Sequence, residues 1–178
     1  TGMDDSLKNF FEPRGVALIG ASENPDKLSH GILKNLASYG YQGQILPVNP
    51  KAEVILGYKC YPDISGVPDP VDLAVIILPA YIIPGVIEAC GKRGIRNATI
   101  ISGGFREVGK EGRELEDKVL LIAASYDMRL IGPNCVGTIN MRTGLNTTFI
   151  KGMPVTGGIG FISQSGAVCG GVVDHVIN

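Results

Sequence analysis

The residues best placed to do chemistry lie in turns. One of them reads Gly20-Ala21-Ser22-Glu23-Asn24-Pro25-Asp26-Lys27-Leu28-Ser29-His30-Gly31, between an apolar stretch and an amphipathic one. A small-residue turn from strand to helix can bring backbone N–H groups up to a phosphate, and the helix N-terminus adds a favourable dipole. The dinucleotide fingerprint Gly-x-Gly-x-x-Gly is not met: Gly20 is followed by Ser22 and Pro25, and the turn is longer. The next apolar stretch ends in Val48-Asn49-Pro50-Lys51. An NAD site wants a carboxylate there for the ribose hydroxyls. Lys51 suits a phosphorylated ribose instead, either the 3′-phosphate ADP of coenzyme A or the 2′-phosphate of NADP. The plain alternatives are a tight strand-to-helix turn at Gly20 and a solvated surface lysine at position 51.

Two other turns mimic known motifs and depart from them. Gly104 to Lys110 matches Gly-x-x-x-x-Gly-Lys, but Glu111 stands where a P-loop needs the Ser or Thr that binds magnesium. Glu107 and Glu111 would also set negative charge beside a triphosphate. Backbone groups of Ser102 and Gly103 could still line the same cleft as Gly20. Around Ser165, the hydrolase elbow Gly-x-Ser-x-Gly fails, because Ser163 and Ala167 replace both glycines. What survives at Ser165-Gly166 is a helix start with hydroxyls, suited to an anion or to ordinary capping.

His30 and His175 are the only histidines, and His175 beside Asp174 reads as a solvated helix residue. His30 follows Ser29, an expected N-cap, and so stands close to the first turn. Cys60, Cys90, Cys135 and Cys169 form no Cys-x-x-Cys pair, so no zinc knuckle or dithiol is written here. No catalytic residue and no metal site is assigned. Unpaired thiols point to a reducing, cytoplasmic setting. The chain carries 16 Lys+Arg against 17 Asp+Glu, a balance that argues against nucleic acid or an anionic membrane as main partner. Its longest strongly apolar run, residues 73–80, is too short to span a bilayer. At 178 residues, 44% hydrophobic and 19% charged, it has the make-up of a folded domain.

These turns need a frame. Apolar runs at 14–20, 44–48, 72–78, 97–101 and 128–131 read as strands, and continuous Val and Ile in the third implies burial on both faces. Helical stripes lie between them: Ile32, Leu33 and Leu36; Val86, Ile87 and Ala89 after Pro84; and Leu115, Val119 and Ile122 within 110–125. Strand–helix alternation predicts an α/β fold, a Rossmann-like doubly wound parallel sheet over residues 3–135. Residues 136–154 read as an irregular connector. A strand at 158–163 and a helix at 166–177 read as the first β-α unit of a second, flavodoxin-like domain over 155–178.

Taken in order, Val16-Ala-Leu-Ile-Gly-Ala-Ser22, Val48-Asn-Pro-Lys51, Ile77-Leu-Pro-Ala80, Ser102-Gly-Gly-Phe105, Gly132-Pro-Asn-Cys135 and Ile162-Ser-Gln-Ser-Gly-Ala167 carry a resemblance. The sequence resembles the nucleoside-diphosphate-forming acyl-CoA synthetases, relatives of the succinyl-CoA synthetase alpha subunit, over nearly its whole length. The resemblance implies that coenzyme A is the cofactor. Gly20, Ala21, Ser22 and Glu23 would line its diphosphate, and Lys51 would meet its ADP portion. Pro79, Ser102 and Gly103 would border the pantetheine arm, and Asn134, in Gly132–Cys135, would lie near the thiol end. Ser165 and Gly166 would open a helix that helps hold a phosphate carried on an active-site histidine.

Neither His30 nor His175 matches that histidine's motif. The implied reaction joins acid, CoA and ATP into acyl-CoA, ADP and phosphate. It would need a small carboxylic acid or its acyl phosphate, with further domains or a beta-type subunit bearing an ATP-grasp fold. The 178 residues alone would bind CoA without performing the full reaction. A CoA-sensing module of an acetyltransferase fusion and an NADP-dependent oxidoreductase are the competing readings.

Overall fold

The computed structural model describes residues 5–177. Five short segments form one parallel sheet: β1 (Gly15–Ile19), β2 (Gln44–Val48), β3 (Leu73–Ile76), β4 (Asn97–Ile100) and β5 (Arg129–Ile131). Every residue of β1 and β3 is buried, the reason both are apolar throughout rather than alternating. The order across the sheet is β2-β1-β3-β4-β5. Ala17 pairs with Leu46 on one side and Ala74 on the other, and Thr99 lies between Val75 and Ile131. The chain steps outward from β1 to β2, then crosses back to β3 and continues the other way. The strand order thus reverses between β1 and β3, which is the Rossmann-like, doubly wound arrangement expected.

Besides a single turn at Asp5–Lys8, four longer helices are present among the described residues: α1 (Leu28–Ser38), α2 (Ile83–Lys92), α3 (Lys110–Ser125) and α4 (Gly166–Ile177). Strand side chains alternate between faces. Val16, Leu18, Leu73 and Val75 therefore meet Ile32, Leu33 and Leu36 of α1. Ala17, Ile19, Ala74 and Ile76 meet Ile83 and Ile87 of α2 and Val119 of α3 on the other face. Pro84 sits in the first turn of α2, where its missing N–H costs nothing. Among the described residues, no helix is long and apolar enough to cross a membrane.

The structure differs from the sequence reading in three local places. Ser29 is not an N-cap: α1 begins at Leu28 after Lys27, and Ser29 is buried within the helix. The turn before it closes on itself, with Asn24 accepting from the Asp26 and Lys27 amides, so the helix starts earlier. Residues 136–154 are not simply irregular. Ile139–Asn140 pairs antiparallel with Leu145–Asn146, and Leu145, Thr147 and Thr148 are buried. Asn35 of α1, itself buried, draws this segment in by donating to the carbonyls of Thr148 (2.7 Å) and Ile150 (2.8 Å). Residues 158–163 form no strand; they are mostly exposed and have no ladder partner among the described residues. α4 follows as a helix, but none of its described residues is buried.

Candidate functional site

The reversal of strand order opens a crevice at the carboxyl ends of β1 and β3, where ligands of such sheets bind. Gly20 ends β1 there with φ +94°, and a Cβ at this position would lie 2.2 Å from the Ile77 carbonyl oxygen. Both the conformation and the close approach therefore require glycine. The amides of Gly20 and Ala21 both donate to the Val48 carbonyl, at 3.0 and 3.3 Å, tying the turn to the end of β2. Ala21 is buried, Ser22 half-buried and Glu23 exposed. The Ser22 hydroxyl accepts from the Asn24 amide at 3.1 Å. The His30 ring reaches back to the Ser22 carbonyl at 3.2 Å. A carbonyl only accepts, so Nδ1 carries the proton in this contact.

Lys51 stands beside that turn through Asn49. The Asn49 carboxamide donates to the Ala21 carbonyl at 2.7 Å and accepts from the Lys51 amide at 2.8 Å. Lys51 is exposed, and no ion pair involves it among the described residues. It borders an open hollow of about 560 Å³ with Pro50, Val54, Lys59, Cys60 and Pro62. The small antiparallel hairpin Val54–Ile55/Tyr58–Lys59, which the periodicity of the sequence did not announce, forms the far wall. Lys59 lies 5.3 Å from the centre of the Tyr61 ring.

The other side of the crevice is built from the ends of β3, β4 and β5. Pro79 is exposed just past β3. The Ser102 hydroxyl accepts from the Leu78 amide at 2.9 Å, and its carbonyl accepts from the Asn134 amide at 2.9 Å. Ser102 thus staples three neighbouring strand ends together. A Cβ on Gly103 would fall 2.9 Å from a Glu107 carboxylate oxygen and 3.3 Å from Asn134 Oδ1. The Gly104 amide donates to that same Glu107 carboxylate. Burial alone would raise the Glu107 pKa, but backbone amides, Gly104 first among them, outweigh it and hold the carboxyl below its ordinary range. The Glu107 carboxylate takes the Gly104 amide and sets negative charge inside this loop, which speaks against a P-loop. The Arg106 guanidinium pairs with the buried Glu116 at 2.7 Å and anchors this loop to α3.

Cys135 donates its thiol to the Ile100 carbonyl at 3.2 Å, and burial pushes its pKa up to about 11. It fills a gap between β4 and β5 and is a poor nucleophile there. Ser165 caps α4, its hydroxyl accepting from the Val168 amide at 3.3 Å, and Gly166 lies against Val136. A second hollow, about 450 Å³ between Tyr39–Gly43 and Met141–Gly144, lies at the opposite end of the sheet. Among the described residues no group of three His, Cys, Asp or Glu could hold a metal ion.

The fold brings Gly20, Ala21, Ser22 and Glu23 next to the Lys51 turn through Asn49. It sets Pro79, Ser102, Gly103 and Asn134 along the adjoining strand ends. His30, expected close to the first turn, does reach it, whereas Asn49 and Glu107 were missed as supports of the site. Asn before Pro and a carboxylate three residues after Gly104 were the available signals, and both are ordinary turn chemistry.

A family model described as a CoA binding domain matches residues 14–141. The chain belongs to the CoA-binding domain family. Coenzyme A is accordingly its cofactor. The chain is 47% identical over 173 residues to an ADP-forming acetate–CoA ligase of Methanocaldococcus jannaschii, covering 97% of this chain and 24% of that protein. It is 44% identical to the alpha subunit of an ADP-forming acetate–CoA ligase II of Pyrococcus furiosus, covering 96% of this chain and 37% of that one.

Among solved structures, it superposes with TM-score 0.93 and 42% identity on a dinucleotide-forming acetyl-coenzyme A synthetase 1 of Ca. Korarchaeum cryptofilum, in complex with phosphate and ADP. That match covers 98% of this chain and 37% of the other. The chain thus spans about a quarter to two-fifths of the length of these relatives.

Proposed function

We propose that this domain supplies the coenzyme A site of an ADP-forming acyl-CoA synthetase. The reaction interconverts a small carboxylic acid, CoA and ATP with acyl-CoA, ADP and phosphate, through a phosphohistidine. The relatives that cover nearly all of this chain are named as ligases of this kind, which favours the ligase over an acetyltransferase fusion. The phosphate-carrying histidine and the ATP-grasp domain would come from other parts of the assembly. Residues 5–177 then bind CoA and do not catalyse the full reaction by themselves.

The observation that carries the CoA roles is the pairing of open backbone amides with an exposed lysine. The Ser22 and Glu23 amides have no acceptor among the described residues, and Lys51 has no anionic partner there. Such a set fits a diphosphate at residues 20–23 and the 3′-phosphate at Lys51. Pro79, Ser102 and Gly103 would flank the pantetheine arm, and Asn134 would lie toward the thiol. Ser165 and Gly166, at the exposed start of α4, would support the phosphate on the incoming histidine.

Calorimetric titration with CoA, dephospho-CoA and NADP, on wild type and Lys51→Ala, tests the assignment. A charge-assisted hydrogen bond to the 3′-phosphate is worth about 1.5–3 kcal/mol, or roughly tenfold to a hundredfold in affinity. CoA should lose that much on removal of either its 3′-phosphate or the Lys51 side chain, and the two losses should not add. Equal binding of CoA and dephospho-CoA would reduce Lys51 to a surface lysine. Preference for NADP would overturn the cofactor.

A further inference from the structure

We propose that Asn49 is the positioning residue that locks the two phosphate-binding turns into one unit and aims the Ser22 amide. The inference rests on the CoA reading above. Its basis is the double use of one carboxamide. Nδ2 donates to the Ala21 carbonyl at 2.7 Å while Oδ1 accepts from the Lys51 amide at 2.8 Å. The two partners are a pure acceptor and a pure donor, so the orientation of the amide is fixed by chemistry. No other residue makes side-chain hydrogen bonds to both turns among the described residues.

A peptide group is planar, and in the trans form its C=O and N–H point in opposite directions. Holding the Ala21 carbonyl toward Asn49 therefore turns the Ser22 N–H away from Asn49. The next peptide is held in the same manner, because the His30 ring engages the Ser22 carbonyl at 3.2 Å and so directs the Glu23 N–H. Gly20 and Ala21 are pinned to the Val48 carbonyl immediately before. Within residues 20–23 the two amides left without acceptors, those of Ser22 and Glu23, are thus those of the peptides whose carbonyls are held by side chains. The Oδ1 arm acts on the other turn: it closes the Asn49–Lys51 bend and fixes the backbone that carries the lysine.

The two arms can be separated. Asn49→Ala removes both. Asn49→Ser keeps a hydroxyl oxygen that can accept from the Lys51 amide but cannot span to the Ala21 carbonyl. CoA and dephospho-CoA are titrated against wild type and both variants, and exchange of the Lys51 amide is followed by NMR without ligand. Asn49→Ala should weaken CoA by about tenfold or more, lower the CoA/dephospho-CoA affinity ratio toward one, and speed exchange at Lys51. Asn49→Ser should weaken both ligands alike, while keeping the ratio and the Lys51 protection close to wild type.

A residue that merely supported the fold would lower melting temperature and both affinities without moving the ratio in Asn49→Ala, and that result would overturn the proposal. So would wild-type affinity and ratio in Asn49→Ala. Wild type failing to bind CoA at all would sink the CoA reading instead. The exchange of Lys51 would then still judge the staple: faster in Asn49→Ala upholds it, unchanged refutes it. Asn49→Ser, the milder change, carries the test of the Ala21 arm if Asn49→Ala does not fold.

Discussion

Gly20→Ala is expected to destabilise the domain through two separable costs. The first is backbone strain: at φ +94° an added Cβ costs about 1–2 kcal/mol. The second is collision, since that Cβ would stand 2.2 Å from the Ile77 carbonyl oxygen and 3.1 Å from Leu78 Cδ2. Relief requires the end of β1 to move off β3, and such overpacking costs about 1–3 kcal/mol. Gly40 isolates the first cost, because it has φ +81° and nothing within 4 Å of a Cβ. Gly85, exposed in α2 with no neighbour within 4 Å and no positive φ, carries neither. Alanine there should stabilise the helix by about 0.5–1 kcal/mol.

At about 2–4 °C per kcal/mol for a chain of this size, Gly20→Ala lowers Tm by about 4–20 °C and Gly40→Ala by about 2–8 °C, whereas Gly85→Ala raises it by about 1–4 °C. Thermal unfolding of the three single variants, followed by circular dichroism, measures the series. If Gly20→Ala melts no lower than Gly40→Ala, the close approach of β1 and β3, and with it the crevice between their ends, is absent in solution.

Two further outcomes follow from the chemistry of single groups. Cys135, with its pKa near 11, should be about one part in a thousand thiolate at pH 8, so alkylation of the folded protein should leave it among the last to react. Half-buried Cys169 on α4 should be modified well before it, and peptide mapping that finds Cys135 labelled early would refute its buried bond to Ile100. The Arg14 fork holds Asp72 below its ordinary pKa through side-chain hydrogen bonds at 2.8 and 2.9 Å. A depressed carboxyl pKa contributes stability above the unfolded value, near pH 4, and loses it as pH falls through the folded value. Arg14 is largely exposed, so Asp72→Asn should cost only about 1 kcal/mol at pH 7 and markedly less at pH 3. Urea unfolding at both pH values checks this, and an equal cost at both would count against the ion pair.

Much of the scaffold was legible because its signals are local. β2 and α3 fall at the residues that the apolar pattern assigned, and Pro84 marks the first turn of α2. The errors came where residue type alone did not decide the outcome. Ser29 looks like a cap by type, yet the self-closed turn at Asn24 starts the helix one residue before it. Residues 136–154 look like a linker by composition, yet Asn35 and Thr148, 113 positions apart, share a buried hydrogen bond. The run 158–163 has strand composition and no strand to pair with among the described residues.

For the site the division is similar. Sequence alone determined that a glycine turn ends the first strand, that a lysine follows the second, and that the glycines of an NAD fingerprint are missing. Those are matters of residue type and spacing, which backbone geometry and charge make interpretable without a partner. Only the tertiary structure decided that Gly20 must face the Ile77 carbonyl and that Glu107 takes the Gly104 amide. It alone showed Asn49 bridging Ala21 and Lys51. A hydrogen-bonding side chain has many acceptors within reach along an unfolded chain. The one it takes is fixed when strand order and register bring the ends of β1 and β2 together.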